Sequence, residues 1–261
     1  MDPQGKLTIF HLYRHDGTAL FLHPFDSLDK LIQVLKRADV DGKYGTEPRV
    51  ESLTLFRNDL YRMIEGAVRS WVAERRFIPR FIISAVVFLL AYLFLSFVIR
   101  DPIPILDEIL VGVGVAVVTY IVLSRRDQRS NLALSKRVEL RTSVDRIVFS
   151  QGQFIKQVEE VLQQHDAGTR EQILEDLLAG DPEKRFEIND ENEAGQFIGY
   201  LEKRFSTREY RKQEKLLARA RVKTRDGRRL EMLSRWSESK KIDLSLFAVY
   251  RRMKRSYKSV T

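Results

Sequence analysis

Two long uncharged runs dominate the pattern of apolar and polar positions along this chain. Residues 81–99 read FIISAVVFLLAYLFLSFVI, and residues 109–124 read ILVGVGVAVVTYIVLS. As helices, these runs would reach about 28 Å and about 24 Å, close to the ~30 Å hydrocarbon core of a bilayer. The pattern therefore predicts two transmembrane helices joined by a short external loop over residues 100–108.

The charges on the flanks of the two runs predict their orientation. The bases nearest to them are Arg62, Arg69, Arg75, Arg76 and Arg80 before the first run, and Arg125, Arg126, Arg129, Lys136, Arg137 and Arg141 after the second. The loop between the runs carries one base against three acids. Because basic flanks stay on the cytoplasmic side, we expect a hairpin with both termini cytoplasmic, in a plasma or inner membrane.

The segment before the first run predicts a small α+β cytoplasmic unit over residues 1–50. Two β-prone runs between Leu7 and Pro24 surround Asp16 and Gly17, a favoured pair for a two-residue hairpin turn, and an amphipathic helix follows. Three histidines lie in this hairpin: His11, His15 and His23. Because His11 and His15 would stand about 13 Å apart along one strand, we expect ordinary strand histidines and not a zinc site. Helical spacing predicts a stalk over residues 51–80.

The segment after the second run predicts a mainly α-helical cytoplasmic region. Thr169 with Gln172 forms a capping-box pattern, and Asp190 with Glu193 starts another helix. The charge divides this region into residues 125–202, acidic in their second half, and residues 203–261, which are basic. Residues 157–202 hold thirteen acids and three bases, a net charge of −10, and residues 203–261 hold twenty bases and six acids, a net charge of +14.

Composition removes several classes of site. The 261 residues contain no cysteine, which excludes disulfides, thiolate metal sites and cysteine nucleophiles. Lys and Arg number 45 against 36 acids, a net charge of +9 that favours anionic partners. No catalytic, phosphate-loop or metal-binding motif is recognisable. We therefore expect no enzyme, no cofactor and no small-molecule substrate.

The strongest candidate for a binding surface is the last predicted helix, residues 242–258. Its apolar residues form one stripe, and its bases lie on the opposite side: Arg251, Arg252, Lys254, Arg255 and Lys258. This profile is typical of a helix lying in a membrane interface among anionic headgroups. The alternative is that the stripe packs against the acidic helices of residues 157–202. In both cases the bases are candidates for contact with an anionic partner.

The two predicted spans carry a candidate pore mouth and a candidate packing surface. Asp107 and Glu108 precede the second span, where a ring of carboxylates in an oligomer selects cations. In layout this resembles the mitochondrial calcium uniporter family, but that family's Trp-Asp-Ile-Met-Glu-Pro signature is absent, because residues 104–109 read PILDEI. No role therefore carries over. Gly112 and Ala116, four residues apart, predict close helix packing within the hairpin.

These features favour a two-pass membrane anchor or scaffold that presents cytoplasmic modules for protein–protein interaction. Its basic C-terminal region would contact an anionic partner. The expected partners are membrane lipid and other protein subunits, including further copies of the chain. Two alternatives remain: an oligomeric cation-conducting pore, and a membrane-tethered nucleic-acid- or ribosome-binding protein, since the basic region interleaves its cations with aromatic residues.

Overall fold

The described part of the chain is mostly helical, 75%, with one small sheet. A computed structural model describes all residues except 1–5, 26, 38, 100–104, 180–185, 223–226 and 259–261. The helices are α1 (Leu28–Arg37), α2 (Val50–Arg75), α3 (Phe77–Leu93), α4 (Ile105–Gln128), α5 (Asn131–Asp145), α6 (Gln153–Ala167), α7 (Arg170–Ala179), α8 (Glu191–Phe205), α9 (Arg208–Val222), α10 (Gly227–Ser239) and α11 (Leu244–Lys258). A π-helical turn, Phe94–Ile99, continues α3.

The sheet combines strands from both ends of the chain. Its strands are β1 (Leu7–Tyr13), β2 (Ala19–Leu22), β3 (Val40–Tyr44) and β4 (Phe149–Gln151), in the order β2-β1-β3-β4. Strand β1 is antiparallel to β2 and parallel to β3, and β3 is parallel to β4. Both apolar helices lie between β3 and β4 in the sequence, so a strand from each side of them is needed to complete the sheet.

The β1–β2 turn differs from the predicted two-residue turn by one residue. Arg14 donates its N–H to the carbonyl of Thr18 at 2.9 Å, which encloses a three-residue loop. Gly17 takes a φ of +78°, as a type I turn followed by a left-handed residue requires. The register therefore places His11 opposite Phe21 and leaves His15 exposed in the turn, so the predicted placement of the two on one strand is wrong.

The structure contains the two helix N-terminal caps that the sequence predicts. Thr169 and Gln172 form the reciprocal capping box: each backbone N–H donates to the other's side chain, at 2.8 Å and 3.3 Å. The carboxylate of Asp190 accepts hydrogen bonds from the N–H groups of Asn192 and Glu193 at the start of α8. These caps satisfy N–H groups that the first turn of a helix leaves without a backbone partner.

The chain divides into two compact units whose boundaries differ from the predicted segments. The first unit comprises residues 1–24, 37–56 and 147–261, and the second comprises residues 25–36 and 57–146. The predicted unit of residues 1–50 is thus divided, and its strands belong with the C-terminal helices. The physical reason is burial: Phe10, Leu12 and Leu22 need apolar partners, and α6, α8 and α11 supply them in a single core.

Within the first unit, that core is built from aromatic and branched side chains. The Phe10 ring meets the Phe197 ring edge to face, with 5.1 Å between centroids, and Phe154 meets Phe197 in the same way at 5.8 Å. Helix α11 packs against α6, α7 and α8. These contacts fix the position of the last helix.

The second unit contains α3 and α4, which pack against each other. Residues Phe77–Phe97 and Glu108–Gln128 are each 21 residues long, with mean hydropathies of 2.3 and 1.8, and little of either is buried in the protein. Both helices are long and apolar enough to cross a membrane. Pro79 lies in the first turn of α3, where its missing N–H breaks no helical hydrogen bond.

Candidate functional site

A basic cleft lies between α6, α7 and α11 in the first unit. Its volume is about 810 Å³. Three guanidinium groups line it from α11: those of Arg251, Arg252 and Arg255. All three belong to the predicted anionic-partner surface, so three of its five bases line one cleft.

The spacing of α11 explains why these arginines share one wall. Residues 248, 251, 252 and 255 follow the i, i+3, i+4, i+7 spacing of a single helix face. Ala248, which is 5% exposed, is the small residue of this wall and leaves room beside the longer side chains.

The apolar stripe of α11 faces the core of the first unit. Leu246, Val249 and Met253 are each 0% exposed and belong to the same apolar cluster as α6 and α8. A helix buried in this way cannot also lay that stripe into a bilayer, so the expected interfacial helix is wrong. The alternative, packing against the acidic helices, is the arrangement observed.

Helices α6 and α7 supply the other walls of the cleft. They contribute two carboxylates, Glu160 and Asp176, the amides of Gln164 and Gln172, and the imidazole of His165. The Nδ1 atom of His165 lies 3.8 Å from the carboxylate of Asp176. Burial lowers the pKa of His165, and Asp176 opposes that shift only in part. The imidazole is therefore neutral at pH 7 and can donate or accept a hydrogen bond.

The fourth base of the predicted surface, Lys254, pairs with an acid of α8. Lys254 contacts the carboxylate of Glu202 at 3.1 Å and the hydroxyl of Tyr250 at 3.0 Å, and both contacts raise the Lys254 pKa. This pair joins the acidic and basic parts of the C-terminal region. The side chain of Lys258 lies outside the described residues. Arg252 also lies over the Phe186 ring at 5.2 Å, and burial lowers its pKa.

The candidate pore-mouth residue Glu108 is engaged inside its own hairpin. Its carboxylate accepts a hydrogen bond from the hydroxyl of Ser96 at 2.6 Å. The side chain of Asp107 lies outside the described part of the chain. Gly112 lies against α3, where an added Cβ would come within 3.1 Å of the Phe88 ring, and Ala116 is half-buried.

An ion pair that the sequence analysis missed joins the other end of the hairpin. Arg80, only 3% exposed, donates from Nε to the carboxylate of Asp127 at 2.7 Å, and from Nη1 to the hydroxyl of Ser124 at 3.3 Å. Arg80 directly precedes the first apolar run, and Asp127 follows the second. An antiparallel pair of helices brings these opposite charges to the same end, and this signal could have predicted the ion pair. The contact fixes the register of α3 against α4.

His11 is a second buried group with unusual surroundings. It is 0% exposed, and its ring lies between those of Tyr13 and Phe21, with centroids 4.5 Å and 4.7 Å away. Neither ring nitrogen has a hydrogen-bond partner within the described structure. Burial lowers the pKa of His11 to about 4. Among the described residues, no cluster of three or more His, Asp or Glu could hold a metal ion.

Comparison of the chain with family models, with curated proteins and with solved structures finds no match.

Proposed function

We propose that this protein is a two-pass membrane anchor and scaffold, with both termini cytoplasmic. In this proposal, α3 and α4 cross the membrane as a hairpin. The helical body built from residues before and after the hairpin binds other subunits of a membrane assembly. The basic cleft receives an anionic partner.

The observation that carries this proposal is the pairing of β3 with β4. Gly42 pairs with Phe149, and Tyr44 pairs with Gln151, although more than a hundred residues and both apolar helices separate these strands. Because one sheet cannot be divided by a bilayer, this pairing supports a hairpin whose two ends emerge on the same side.

The orientation rests on the charges at the hairpin ends. The bases cluster on the flanks and the acids in the connecting loop, the distribution that keeps the flanks cytoplasmic in a plasma or inner membrane. In this orientation the predicted connection of residues 100–108, whose last four residues begin α4, is external and is too short to hold a folded domain. Binding would therefore involve the cytoplasmic body.

The orientation can be tested with single cysteines, because the chain contains none. We expect a membrane-impermeant thiol reagent to label an Asp101→Cys variant from outside intact cells. The same reagent should label a Lys240→Cys variant, at an exposed position, only after the cells are opened. The opposite pattern would contradict the proposed orientation, and labelling of both variants from outside would contradict the two-pass arrangement.

The scaffold role can be tested by crosslinking mass spectrometry on native membranes. We expect reproducible crosslinks from the helical body to other proteins or to further copies of the chain. Recovery of the bare protein, without crosslinks to any partner or to itself, would contradict the scaffold role.

A further inference from the structure

We propose that the basic cleft binds a compact phosphate ester that carries hydroxyl groups, either as a soluble molecule or as a phospholipid headgroup. The inference deepens the proposed function by giving the anionic partner a chemical class. It does not depend on the protein–protein contacts of the scaffold.

The phosphate is recognised by the arrangement of the arginines. Arg251 and Arg255 are four residues apart on α11, Arg252 and Arg255 are three apart, and all three line one cleft. A guanidinium is planar and offers parallel N–H donors that match two oxygens of one phosphate group. Three such groups within little more than one helical turn converge on a single anion more readily than on an extended chain of charges.

The cleft is large enough for a ligand that contains more than a phosphate group. Its volume of about 810 Å³ lies within the ~300–1,000 Å³ range of small-molecule sites and far exceeds one phosphate group. The remaining space is lined by hydrogen-bonding groups of α6 and α7, including Gln164, His165 and Gln172. These side chains suit the hydroxyl groups of a small polyol.

The carboxylates in the same cleft restrict the charge of the ligand. Glu160 of α6 and Asp176 of α7 also line the cleft, where they would repel a polyanion such as nucleic acid. The same carboxylates accept hydrogen bonds from hydroxyl groups. The combination therefore favours a ligand with its negative charge at one end and neutral hydroxyls at the other.

The inference can be tested by calorimetry on the full chain in phosphatidylcholine nanodiscs. The soluble probe is inositol monophosphate, with inositol and inorganic phosphate as the two halves of the ligand. We expect saturable binding of the ester, weaker binding of phosphate alone and none of inositol. In the lipid arm, phosphatidylinositol is offered in the nanodisc, and its retention on the purified protein is measured by mass spectrometry.

The variants identify the site. Arg251→Gln and Arg255→Gln should each weaken binding by about tenfold or more, since each removes a charge-assisted hydrogen bond. The conservative change Arg255→Lys keeps the charge but loses the planar fork, so it should also weaken binding. Arg235→Gln, on α10 and outside the cleft, should leave binding unchanged. Melting curves of each variant verify that the fold is intact.

The outcomes distinguish a soluble ligand from a lipid headgroup, and both from failure of the inference. Binding of the soluble ester that the cleft variants remove supports a soluble ligand, and cleft-dependent retention of phosphatidylinositol alone supports a headgroup. An equal loss in Arg235→Gln would indicate general charge attraction and overturn the inference. Binding of neither probe, or binding of an acidic polypeptide such as polyglutamate in their place, would also overturn it. Crosslinks to partner proteins would persist in that case, so the scaffold proposal would stand separately.

Discussion

Glu159 is 2% exposed, yet it carries a carboxylate into the interior of the first unit. Its Oε2 accepts hydrogen bonds from the backbone N–H groups of Tyr13 and Thr46, both at 3.2 Å. Those N–H groups belong to the end of β1 and to the loop after β3. The side chain thus supplies acceptors where the sheet ends and no neighbouring strand can do so.

Replacement of Glu159 by alanine should destabilise the first unit by about 1–3 kcal/mol, because the buried N–H group of Tyr13 and the part-buried N–H group of Thr46 lose their acceptor. The measurement is urea unfolding of the full chain in detergent, monitored by circular dichroism. The neighbouring change Glu160→Ala is the control, since Glu160 is exposed and should change stability by less than about 0.5 kcal/mol. Equal effects of the two changes would contradict the role of Glu159.

A second prediction concerns the pH dependence of stability, and it follows from the buried imidazole of His11. Its folded pKa of about 4 lies below the ordinary value of 6.5, so between these values the unfolded chain binds a proton that the folded chain does not. Stability should therefore fall as the pH falls from 6.5 to 4, by about 3 kcal/mol from this group. Above pH 6.5 the group contributes no pH dependence.

The measurement is the pH profile of unfolding for the wild type and for His11→Leu. Subtraction of the two profiles removes the contributions of the other titrating groups. The remaining difference in the free energy of unfolding should change with pH only below pH 6.5. His15→Leu, in the exposed turn, serves as the control. Parallel profiles for the wild type and His11→Leu would show that burial does not hold the His11 imidazole neutral.

At the scale of elements, the β3–β4 contact depends on a missing side chain. Gly42 donates its N–H to the carbonyl of Val148 at 2.9 Å, and a Cβ added at Gly42 would overlap the Phe149 ring. The close approach of the two strands therefore requires glycine at this position.

Gly42→Ala should displace Phe149 and cost about 1–3 kcal/mol, the usual range for overpacking. Gly199→Ala provides the opposite case, because an added Cβ in α8 meets nothing within 4 Å. This change should stabilise the protein by up to about 1 kcal/mol through helix propensity. Thermal unfolding of both variants tests the pair, and a stabilising Gly42→Ala would contradict the tight strand contact.

The two apolar helices are joined by the Arg80–Asp127 pair, in which Arg80 is 3% exposed. Removal of one partner of a buried ion pair costs about 3–5 kcal/mol, since the other charge is left without compensation. Asp127→Ala should therefore weaken the α3–α4 hairpin strongly, because it leaves the buried Arg80 guanidinium without its carboxylate, and the addition of Arg80→Ala should recover part of the loss.

A double-mutant cycle in detergent, with unfolding by dodecyl sulfate, measures the coupling between Arg80 and Asp127. The surface pair Arg62–Asp59, with side chains 82% and 68% exposed, is the matched control and should show coupling below about 1 kcal/mol. If the effects of Arg80→Ala and Asp127→Ala on stability are additive, the two residues do not stabilise the hairpin as a pair.

For the whole molecule, the decisive feature is that one compact unit is assembled from both ends of the chain. A fragment of residues 1–50 lacks β4 and the helices that cover Phe10 and Leu12. We therefore expect this fragment to be unfolded, with unprotected amides in hydrogen exchange, while the same amides of β1 exchange slowly in the full chain. Slow exchange in the isolated fragment would instead support an independent N-terminal unit.

The sequence alone determined the features that depend on near neighbours. The apolar runs of residues 81–99 and 109–124 predicted helices long enough to cross a membrane, because apolar length is read directly from consecutive residues. The caps at Thr169 and Asp190 were likewise predictable, since their partners lie two or three residues away.

Only the tertiary structure decided which distant surfaces meet. An amphipathic stripe such as Leu246, Val249 and Met253 has the same spacing whether it meets lipid or protein, so periodicity could not assign its neighbour. Strand β4 has three residues, too few for a pattern, and its pairing with β3 depends on the fit of Gly42 to Phe149. The cleft likewise exists because three helices that are separate in sequence place their side chains around one space, a property that no local segment possesses.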